Sequence, residues 1–334
     1  MPLFRRSRTA SAASIALAAC FAGGCVSSAG AAEQRGPLGR HSPIPPQTIL
    51  YVSDASGNVF EFSNGTTRLL ATISDGSSPQ GLEVDSSGNL YVAESEAGAI
   101  NVYAPGALTA TTILSDPGAN PYGVAHCADG TTYVANPSYA SANGNITYYA
   151  AGQTVPTGTI PDPAIGAAFS VSCDKYSNVY ADYLDNVNYN VQIVKYGPQG
   201  SSITNTGFGA YLDYYGTVRV ANDGQLAVSD TFNGYVLFFN PKSAPGTAPI
   251  SRSDFGVAFY GFSLGASEDD VYGAAFNDSE SRKAGCAQTR RVPSGEQYNT
   301  VFRANAHNLR MVKTYGQCVL EGPRDAFVYP GGNS

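Results

Sequence analysis

Few residues of this chain have the chemical type that catalysis needs, and Glu83 and His126 are the two best candidates. A carboxylate can bind a hard cation, and an imidazole changes its charge near neutral pH. Gly261–Gly265 has the Gly-x-Ser-x-Gly spacing of a hydrolase nucleophile elbow, but that motif requires a helix directly after its strand. The flanking sequence predicts no helix, so Glu83 and His126 remain as weak catalytic candidates.

Oxygen-bearing side chains are concentrated between residues 182 and 190, where Asp185 stands among a second Asp and three Asn. Carboxylate and amide oxygens are the ligands that calcium prefers. Their spacing matches no defined calcium loop, and Asn and Asp are also the common residues of tight turns. We therefore predict no cofactor and no defined metal site, with calcium at this turn as the alternative.

Residues 1–19 have the pattern of an export signal, with three arginines ahead of a short run of small apolar residues. The tetrad Leu17–Cys20 resembles the lipobox of bacterial lipoproteins, in which the cysteine receives lipid and becomes the new N-terminus. We therefore predict a lipid anchor at Cys20, with Cys25 or cleavage at Ala31 as the alternatives. This places the protein in the bacterial cell envelope, or in the periplasm or medium if it is released.

Residues 20–47 are rich in Gly, Ser, Ala and Pro and have no hydrophobic period, which is typical of a tether. The folded body is then expected over residues 48–334. The whole chain has a net charge of −7, and loss of the arginine-bearing signal would make it more negative. Such an acidic domain has no basic surface for nucleic acid, so we predict no nucleic-acid partner.

The body is a series of similar units, of which Pro79–Gly98 shows the pattern clearly. Gly81–Asp85 alternates as a strand, Asp85–Asn89 has turn chemistry, and Leu90–Ala93 forms a second strand. Aligning the units places Tyr51, Tyr91, Tyr133, Tyr180, Ala227 and Tyr272 at one position, 40 to 47 residues apart. A four-stranded unit at this period predicts an all-β, six-bladed β-propeller.

The two ends of the body support closure of the ring. The first unit begins with its second strand at Ile49, and no inner strand precedes it. Arg324–Tyr329 alternates like the inner strands of the other units, and we predict that it pairs with Ile49–Ser53 to complete the first blade. Closure of this kind removes exposed sheet edges. The alternative is a free C-terminal tail.

The motifs Pro-x-Gly, Asp-x-x-Gly-Asn and Leu-Tyr-Val-Ala in Pro79–Ala93 resemble NHL repeats, and more broadly the six-bladed propellers that include SMP-30 and gluconolactonase. The gluconolactonase-like members hold a divalent cation over the channel, which implies a metal-dependent lactonase or hydrolase, or a propeller lyase, as one function. Glu83 could supply one ligand. Its counterparts by register are Ala125, Ser172 and Arg219, which form no ring of oxygens, so we favour a binding module over an enzyme.

The cysteines of the body fit the same arrangement. Cys127 and Cys173 fall at nearly the same point of consecutive inner strands, which lie side by side in a propeller. Cys286 and Cys318 both lie in the last unit. In an exported protein these four predict the bridges Cys127–Cys173 and Cys286–Cys318, with the other two pairings and buried free thiols as alternatives.

The connections after the second strands are long in the third, fourth and sixth units, which predicts an asymmetric binding rim. Seven residues of the fourth and sixth connections are the predicted ligand-binding set: Tyr183, Asp185, Tyr189, Arg282, Lys283, Arg290 and Arg291. Basic side chains on an acidic protein favour an anionic partner. Tyr with Asp suits a protein, peptide or glycan, and we expect the protein to act as a monomer.

Overall fold

The architecture follows from a computed structural model of the chain. It describes residues 48–330 apart from 75–76, 118, 139–143, 257, 267–268, 276–299, 309 and 317–318. The predicted signal, Cys20 and the tether therefore lie outside the described residues. Among the described residues, no helix is long and apolar enough to cross a lipid bilayer.

Six antiparallel four-stranded sheets form the body, and the fold is a six-bladed β-propeller. The first blade holds β1 (Ile49–Asp54), β2 (Asn58–Ser63) and β3 (Leu69–Ser74). The second holds β4 (Pro79–Val84), β5 (Leu90–Glu94), β6 (Ala99–Tyr103) and β7 (Thr112–Ser115). The third holds β8 (Gly123–His126), β9 (Thr132–Asn136), β10 (Asn145–Tyr149) and β11 (Gly158–Thr159).

The remaining blades have the same order. The fourth holds β12 (Ile165–Cys173), β13 (Val179–Asp185), β14 (Val191–Tyr196) and β15 (Ile203–Asn205). The fifth holds β16 (Val218–Val220), β17 (Leu226–Asp230), β18 (Tyr235–Phe239) and β19 (Ser251–Asp254). The sixth holds β20 (Phe259–Leu264), β21 (Asp270–Ala275), β22 (Thr300–Asn305) and β23 (Met311–Tyr315), and β24 (Pro323–Tyr329) returns to the first. Two 3₁₀ turns, Pro198–Gly200 and Phe208–Tyr211, lie beside β15.

The turn between β4 and β5 shows why this sequence repeats. One Asp85 carboxylate oxygen accepts the backbone N–H groups of Ser87 and Asn89, both at 2.9 Å. Gly88 sits at a φ of +85°, a conformation that residues with a side chain rarely adopt. The Asp-x-x-Gly-Asn motif is therefore a turn that fixes the register of two strands, as the sequence predicts.

The hydrophobic core lies between the blades rather than within one layer. Among the described residues, six clusters of buried apolar side chains each join two neighbouring blades. Tyr51 and Leu82, for example, meet between the first and second blades, and Phe327 of β24 packs with them. Each blade buries both faces, which explains why strands such as Leu90–Glu94 are buried at every position.

The closing strand pairs as predicted. β24 lies antiparallel to β1, with Ile49 opposite Tyr329 and Tyr51 opposite Phe327. Ala326, Phe327 and Val328 are at most 2% exposed, so the C-terminal strand is a buried part of the first blade. The alternative of a free tail is wrong for these residues.

The predicted bridge between the third and fourth blades is present. Cys127 and Cys173 are disulfide-bonded, with their Cα atoms 5.4 Å apart, and both are buried. They follow β8 and end β12, which lie next to each other around the channel. Cys286 and Cys318 lie outside the described residues, and their bridge stays a prediction.

Candidate functional site

The first halves of the inner strands line one cavity, at the end of the central channel that we call the mouth face. In each blade, the aligned tyrosine, or Ala227 in the fifth blade, lies opposite one residue of the inner strand. The residue three positions before that partner lies at the same height around the channel in every blade. In the fifth blade this residue is Gly216, and the preceding Tyr215 supplies the side chain. We call the six side chains the mouth ring: Gln80, Tyr122, Phe169, Tyr215, Tyr260 and Arg324.

Aromatic contacts connect most of the mouth ring. The rings of Tyr122 and Phe169 meet edge to face with their centroids 5.8 Å apart. Phe169 stacks on Tyr215 with centroids 3.6 Å apart and planes 7° apart. The Arg324 guanidinium lies over the Tyr260 ring, 5.1 Å from its centroid. Such contacts hold aromatic side chains in fixed positions, so the mouth ring is a preformed surface.

Two glycines let the inner strands come close enough to form this mouth. The Gly81 N–H donates to the Tyr122 carbonyl at 2.7 Å, and a Cβ on Gly81 would lie 2.5 Å from that oxygen. A Cβ on Gly123 would lie 2.7 Å from the Phe169 carbonyl oxygen. Larger residues at either position would push Tyr122 or Phe169 out of the mouth ring.

The phenol of Tyr122 is held in its neutral form. Burial raises the pKa of Tyr122 to about 12, nearby Tyr215 raises it further, and the positive charge of Arg324 opposes the shift. Tyr122 is therefore a hydrogen-bond donor at every physiological pH. The Nε atom of Arg324 is buried and has no hydrogen-bond partner among the described residues.

A buried ion pair lies in the wall of the same cavity as the mouth ring. Arg219 Nη2 lies 2.9 Å from Asp325 Oδ2, with the two side chains 3% and 6% exposed. The Arg219 Nε group donates to the Phe262 carbonyl at 2.9 Å, and the Leu82 N–H donates to Asp325 Oδ2 at 2.9 Å. Because these residues come from four blades, the pair fastens the inner strands of the ring to one another.

Glu83 lies in the channel wall at the predicted register. It lies opposite Tyr91 in the pairing of β4 with β5. The other inner strands place five residues at the same height: Ala125, Ser172, Arg219, Ser263 and Phe327. Burial raises the pKa of Glu83 to about 8, against the opposing effect of Arg219. One carboxyl group in a layer with a guanidinium, two serines and two apolar side chains does not suit a hard cation, which needs several converging oxygens.

The serines in this layer have structural partners. Ser172 Oγ accepts the Val220 N–H at 3.0 Å, and Ser263 Oγ accepts the Val328 N–H at 3.1 Å. Ser263 is fully buried in β20, so the Gly261–Gly265 motif is not a nucleophile elbow. These hydroxyls connect neighbouring inner strands.

His126 sits at the opposite end of its inner strand from the mouth. Its Nδ1 lies 2.9 Å from Thr132 Oγ1, and its ring stacks on Tyr91 with centroids 4.8 Å apart. Burial lowers the pKa of His126, so the imidazole is mainly neutral at pH 7. No hydrogen bond joins Glu83 and His126, and the two candidate catalytic residues form no acid–base pair.

Of the predicted rim residues in the fourth blade, Tyr189 is exposed and Tyr183 is buried. Asp185 ends β13, and Tyr189 belongs to the connection from β13 to β14 and is 58% exposed. Tyr183 is only 2% exposed, and its hydroxyl donates to Asp162 Oδ2 at 3.3 Å. Its prediction as a surface residue is wrong because β13 extends to Asp185 and keeps Tyr183 inside the sheet.

The Asp185 carboxylate is used by its own turn. It accepts the backbone N–H groups of Val187, Asn188 and Asn190 at 2.9, 2.6 and 3.2 Å. Although its slight loss of solvent favours the neutral acid, these donors lower the pKa of Asp185. Among the described residues, no group of three or more His, Cys, Asp or Glu side chains is close enough to hold a metal ion.

A groove of about 530 Å³ lies beside the same turn, between the fourth and fifth blades. Tyr189, Gln192, Asn205 and Asp213 are among its lining residues. This volume is within the range of small-ligand sites, and the lining has both aromatic and amide groups. The basic residues Arg282, Lys283, Arg290 and Arg291 lie outside the described residues.

Comparisons with known proteins give the fold alone. No protein-family profile and no curated protein matches the sequence. A chain in the crystal structure of the nidogen/laminin complex is similar, with a TM-score of 0.61 and 12% identity over 84% of this chain and 98% of that one. A protein of unknown function from Bacteroides caccae has a TM-score of 0.61 and 10% identity over 85% of this chain and 98% of its own.

Proposed function

We propose that this protein is an exported, lipid-anchored binding module that captures a protein partner with its mouth face. The observation that carries the proposal is the mouth ring, in which every blade contributes a side chain at one height around the channel opening. Aromatic and Arg side chains are enriched in protein interfaces. In the described structure, Tyr122 and Tyr215 reach the channel opening without rearrangement, and Phe169, which is only 2% exposed, packs against both of their rings.

The size of the mouth favours binding over turnover. The cavity measures about 30 Å³, whereas sites for small-molecule ligands measure roughly 300–1,000 Å³. Arg219 and Asp325 line this cavity and form a buried ion pair in its wall. A lactone substrate therefore has no room in this cavity, while a protein can rest on the mouth face and insert a single side chain.

The loops support the same face. The end of β9 lies beside the start of β8, the end of β13 beside the start of β12, and the end of β21 beside the start of β20. The connections after β9, β13 and β21 therefore start at the mouth face. The groove next to Tyr189 adds a second contact surface that suits a peptide or glycan chain of the partner.

Export and anchoring are supported by sequence and by one covalent bond. The Leu17–Cys20 tetrad follows an apolar run behind three arginines, and the Cys127–Cys173 disulfide is typical of oxidising compartments. The blade motif Pro79–Ala93 supports placing the chain with NHL-repeat and SMP-30-like propellers. The nidogen/laminin structure is a protein complex, which makes a protein partner the favoured ligand class.

Site-specific photo-crosslinking tests the binding face. Tyr214 is 45% exposed next to the mouth ring, and Tyr176 is 70% exposed in the β12–β13 turn at the opposite end. Each tyrosine is replaced singly by benzoyl-phenylalanine in the native host. A defined protein crosslinked from position 214 and absent from position 176 is the expected result. Equal labelling from both positions, or labelling from 176 alone, contradicts the proposal.

A further inference from the structure

The charges at the mouth are unbalanced in favour of the positive sign. Three charged side chains line the cavity: Arg219, Arg324 and Asp325. The Asp325 carboxylate already has hydrogen-bond partners within the protein. Its oxygens accept hydrogen bonds from Arg219 Nη2 and from the backbone N–H groups of Leu82 and Ala326. Arg324 is left as a net positive charge at the channel opening of a protein whose net charge is −7.

Arg324 and Tyr122 both offer hydrogen-bond donors to the cavity that they line. The Arg324 Nε group is buried without a hydrogen-bond partner among the described residues. Tyr122 and Arg324 line the same cavity, and the positive charge of Arg324 opposes the rise in the pKa of Tyr122. The Gln80 amide nitrogen donates to Ser78 Oγ at 3.0 Å. A guanidinium and a phenol with unused donor capacity suit a planar anion, which accepts two parallel hydrogen bonds from arginine.

The size of the cavity determines what can carry that anion. A volume of about 30 Å³ holds one or two water molecules, and a carboxylate group is of similar size. A sugar ring or a free amino acid would not fit. The aromatic walls formed by Phe169, Tyr215 and Tyr260 suit the methylene groups that precede a carboxylate in a chain.

We propose that the mouth ring is a receptor for a single carboxylate that the protein partner inserts into the channel opening, with Arg324 as its ion-pair partner and Tyr122 as a second donor. This inference rests on the proposed function, which it deepens by naming the group that is recognised. The carboxylate can belong to an acidic side chain or to the C-terminus of the partner, and these two sources are separated by the probes below.

The test uses small probes with the whole folded body. N-acetyl-glutamate amide carries a side-chain carboxylate, N-acetyl-diglycine carries a terminal one, and N-acetyl-glutamine amide is the uncharged match. Binding is followed by NMR shifts of the Gly81 and Gly123 amides, which lie beside the mouth ring. We expect one or both carboxylates to bind, with Arg324→Gln weakening binding by about tenfold or more, since a charge-assisted hydrogen bond contributes about 1.5–3 kcal/mol.

Two further variants keep the outcome interpretable. Arg252 is exposed and lies in β19, the strand of the fifth blade farthest from its inner strand β16, so Arg252→Gln should leave binding unchanged. Tyr122→Phe removes one donor with little change in packing and should weaken carboxylate binding even if Arg324→Gln proves unstable. The inference is wrong if the glutamine probe binds as well as the glutamate probe, if neither mouth variant weakens binding, or if methyl phosphate binds more tightly than both carboxylates.

The two proposals fail separately. Loss of carboxylate selectivity together with an intact crosslink from position 214 would overturn this inference and leave the binding face in place. Carboxylate binding that depends on Arg324, without any crosslink from position 214, would overturn the protein-binding function and leave a small anion site.

Discussion

At the scale of single residues, Arg219 and Asp325 each depend on the other because both are buried. Removing two charges from water is costly, and their attraction over 2.9 Å offsets that cost only while both are present. We expect Arg219→Leu to lower the free energy of unfolding by about 3–5 kcal/mol, since it leaves an uncompensated carboxylate in the channel. Urea denaturation followed by circular dichroism measures this change.

Two controls separate the lost charge from the lost packing. The double variant Arg219→Leu with Asp325→Asn should recover part of the stability, because no buried charge remains. Arg252 and Asp254 form a pair in which each side chain is 52% exposed, so Arg252→Leu should cost about 1 kcal/mol or less. Similar losses for Arg219→Leu and Arg252→Leu would show that burial of the channel pair is unimportant.

Glu83 should make stability fall as pH rises. Burial raises its pKa from 4.5 to about 8 in the folded protein, so between these values the unfolded chain releases the proton that the folded chain keeps. Each increase in pH in this window therefore favours unfolding. Glu83→Gln removes the effect, and its melting temperature should exceed that of the wild type increasingly from pH 4.5 to pH 8.

The control for this prediction is Glu96→Gln, because Glu96 is solvent-exposed in the β5–β6 turn. Its melting temperature should follow that of the wild type at every pH. A constant difference between Glu83→Gln and the wild type across the window would mean that Glu83 is already ionised in the folded protein.

At the scale of elements, β24 is the strand on which ring closure depends. Its pairing with β1 supplies the inner strand of the first blade, and Phe327 is 2% exposed in the core between the first two blades. Deleting residues 323–334 should lower the melting temperature sharply, because it exposes apolar surface and opens a sheet edge. Truncation after Pro330 is the matched control and should have little effect. An unchanged melting temperature after the longer deletion would contradict closure.

The strands were predictable because each blade repeats one local pattern. Pairs such as Glu83 with Tyr91 lie opposite each other in the structure as the alignment of units requires. Tyr183 was misplaced because β12 contains register shifts between Ile165 and Ser170, which lengthen its pairing with β13 beyond the repeated unit. The alternation of apolar and polar residues along a strand does not show where such a bulge will occur.

The mouth ring could not be found from residue type. Its members include a Gln, three Tyr, a Phe and an Arg, and only their common register unites them. Counting three residues back from the inner-strand partner of each aligned tyrosine would have found five of them directly. Tyr215 would still have been missed, because Gly216 takes that position in the fifth blade and the preceding side chain fills the space.

At the scale of the whole molecule, the proposed lipid anchor and the proposed capture of a partner would serve one function. A lipid at Cys20 followed by a tether of residues 20–47 would hold the propeller near a membrane while leaving its mouth face free to search for a partner. Within that arrangement the net negative charge repels most acidic proteins. Local positive charge is then needed to attract a partner that offers a carboxylate.

The basic residues of the sixth connection are the predicted source of that attraction. Replacing Arg282, Lys283, Arg290 and Arg291 with Ser should change the free energy of unfolding by about 0.5 kcal/mol or less per site, since the sequence predicts a solvated loop here and substitutions in such loops have small effects. Association with the partner crosslinked from position 214 should become slower, and its rate should depend less on salt, because screened long-range attraction is lost. Stopped-flow association at several ionic strengths measures both changes, with Arg324→Gln as the comparison that should act mainly on dissociation. The opposite outcome is that the four replacements leave binding of the partner unaffected and Glu83→Gln abolishes it. In that case the channel, and not the rim, is the binding site.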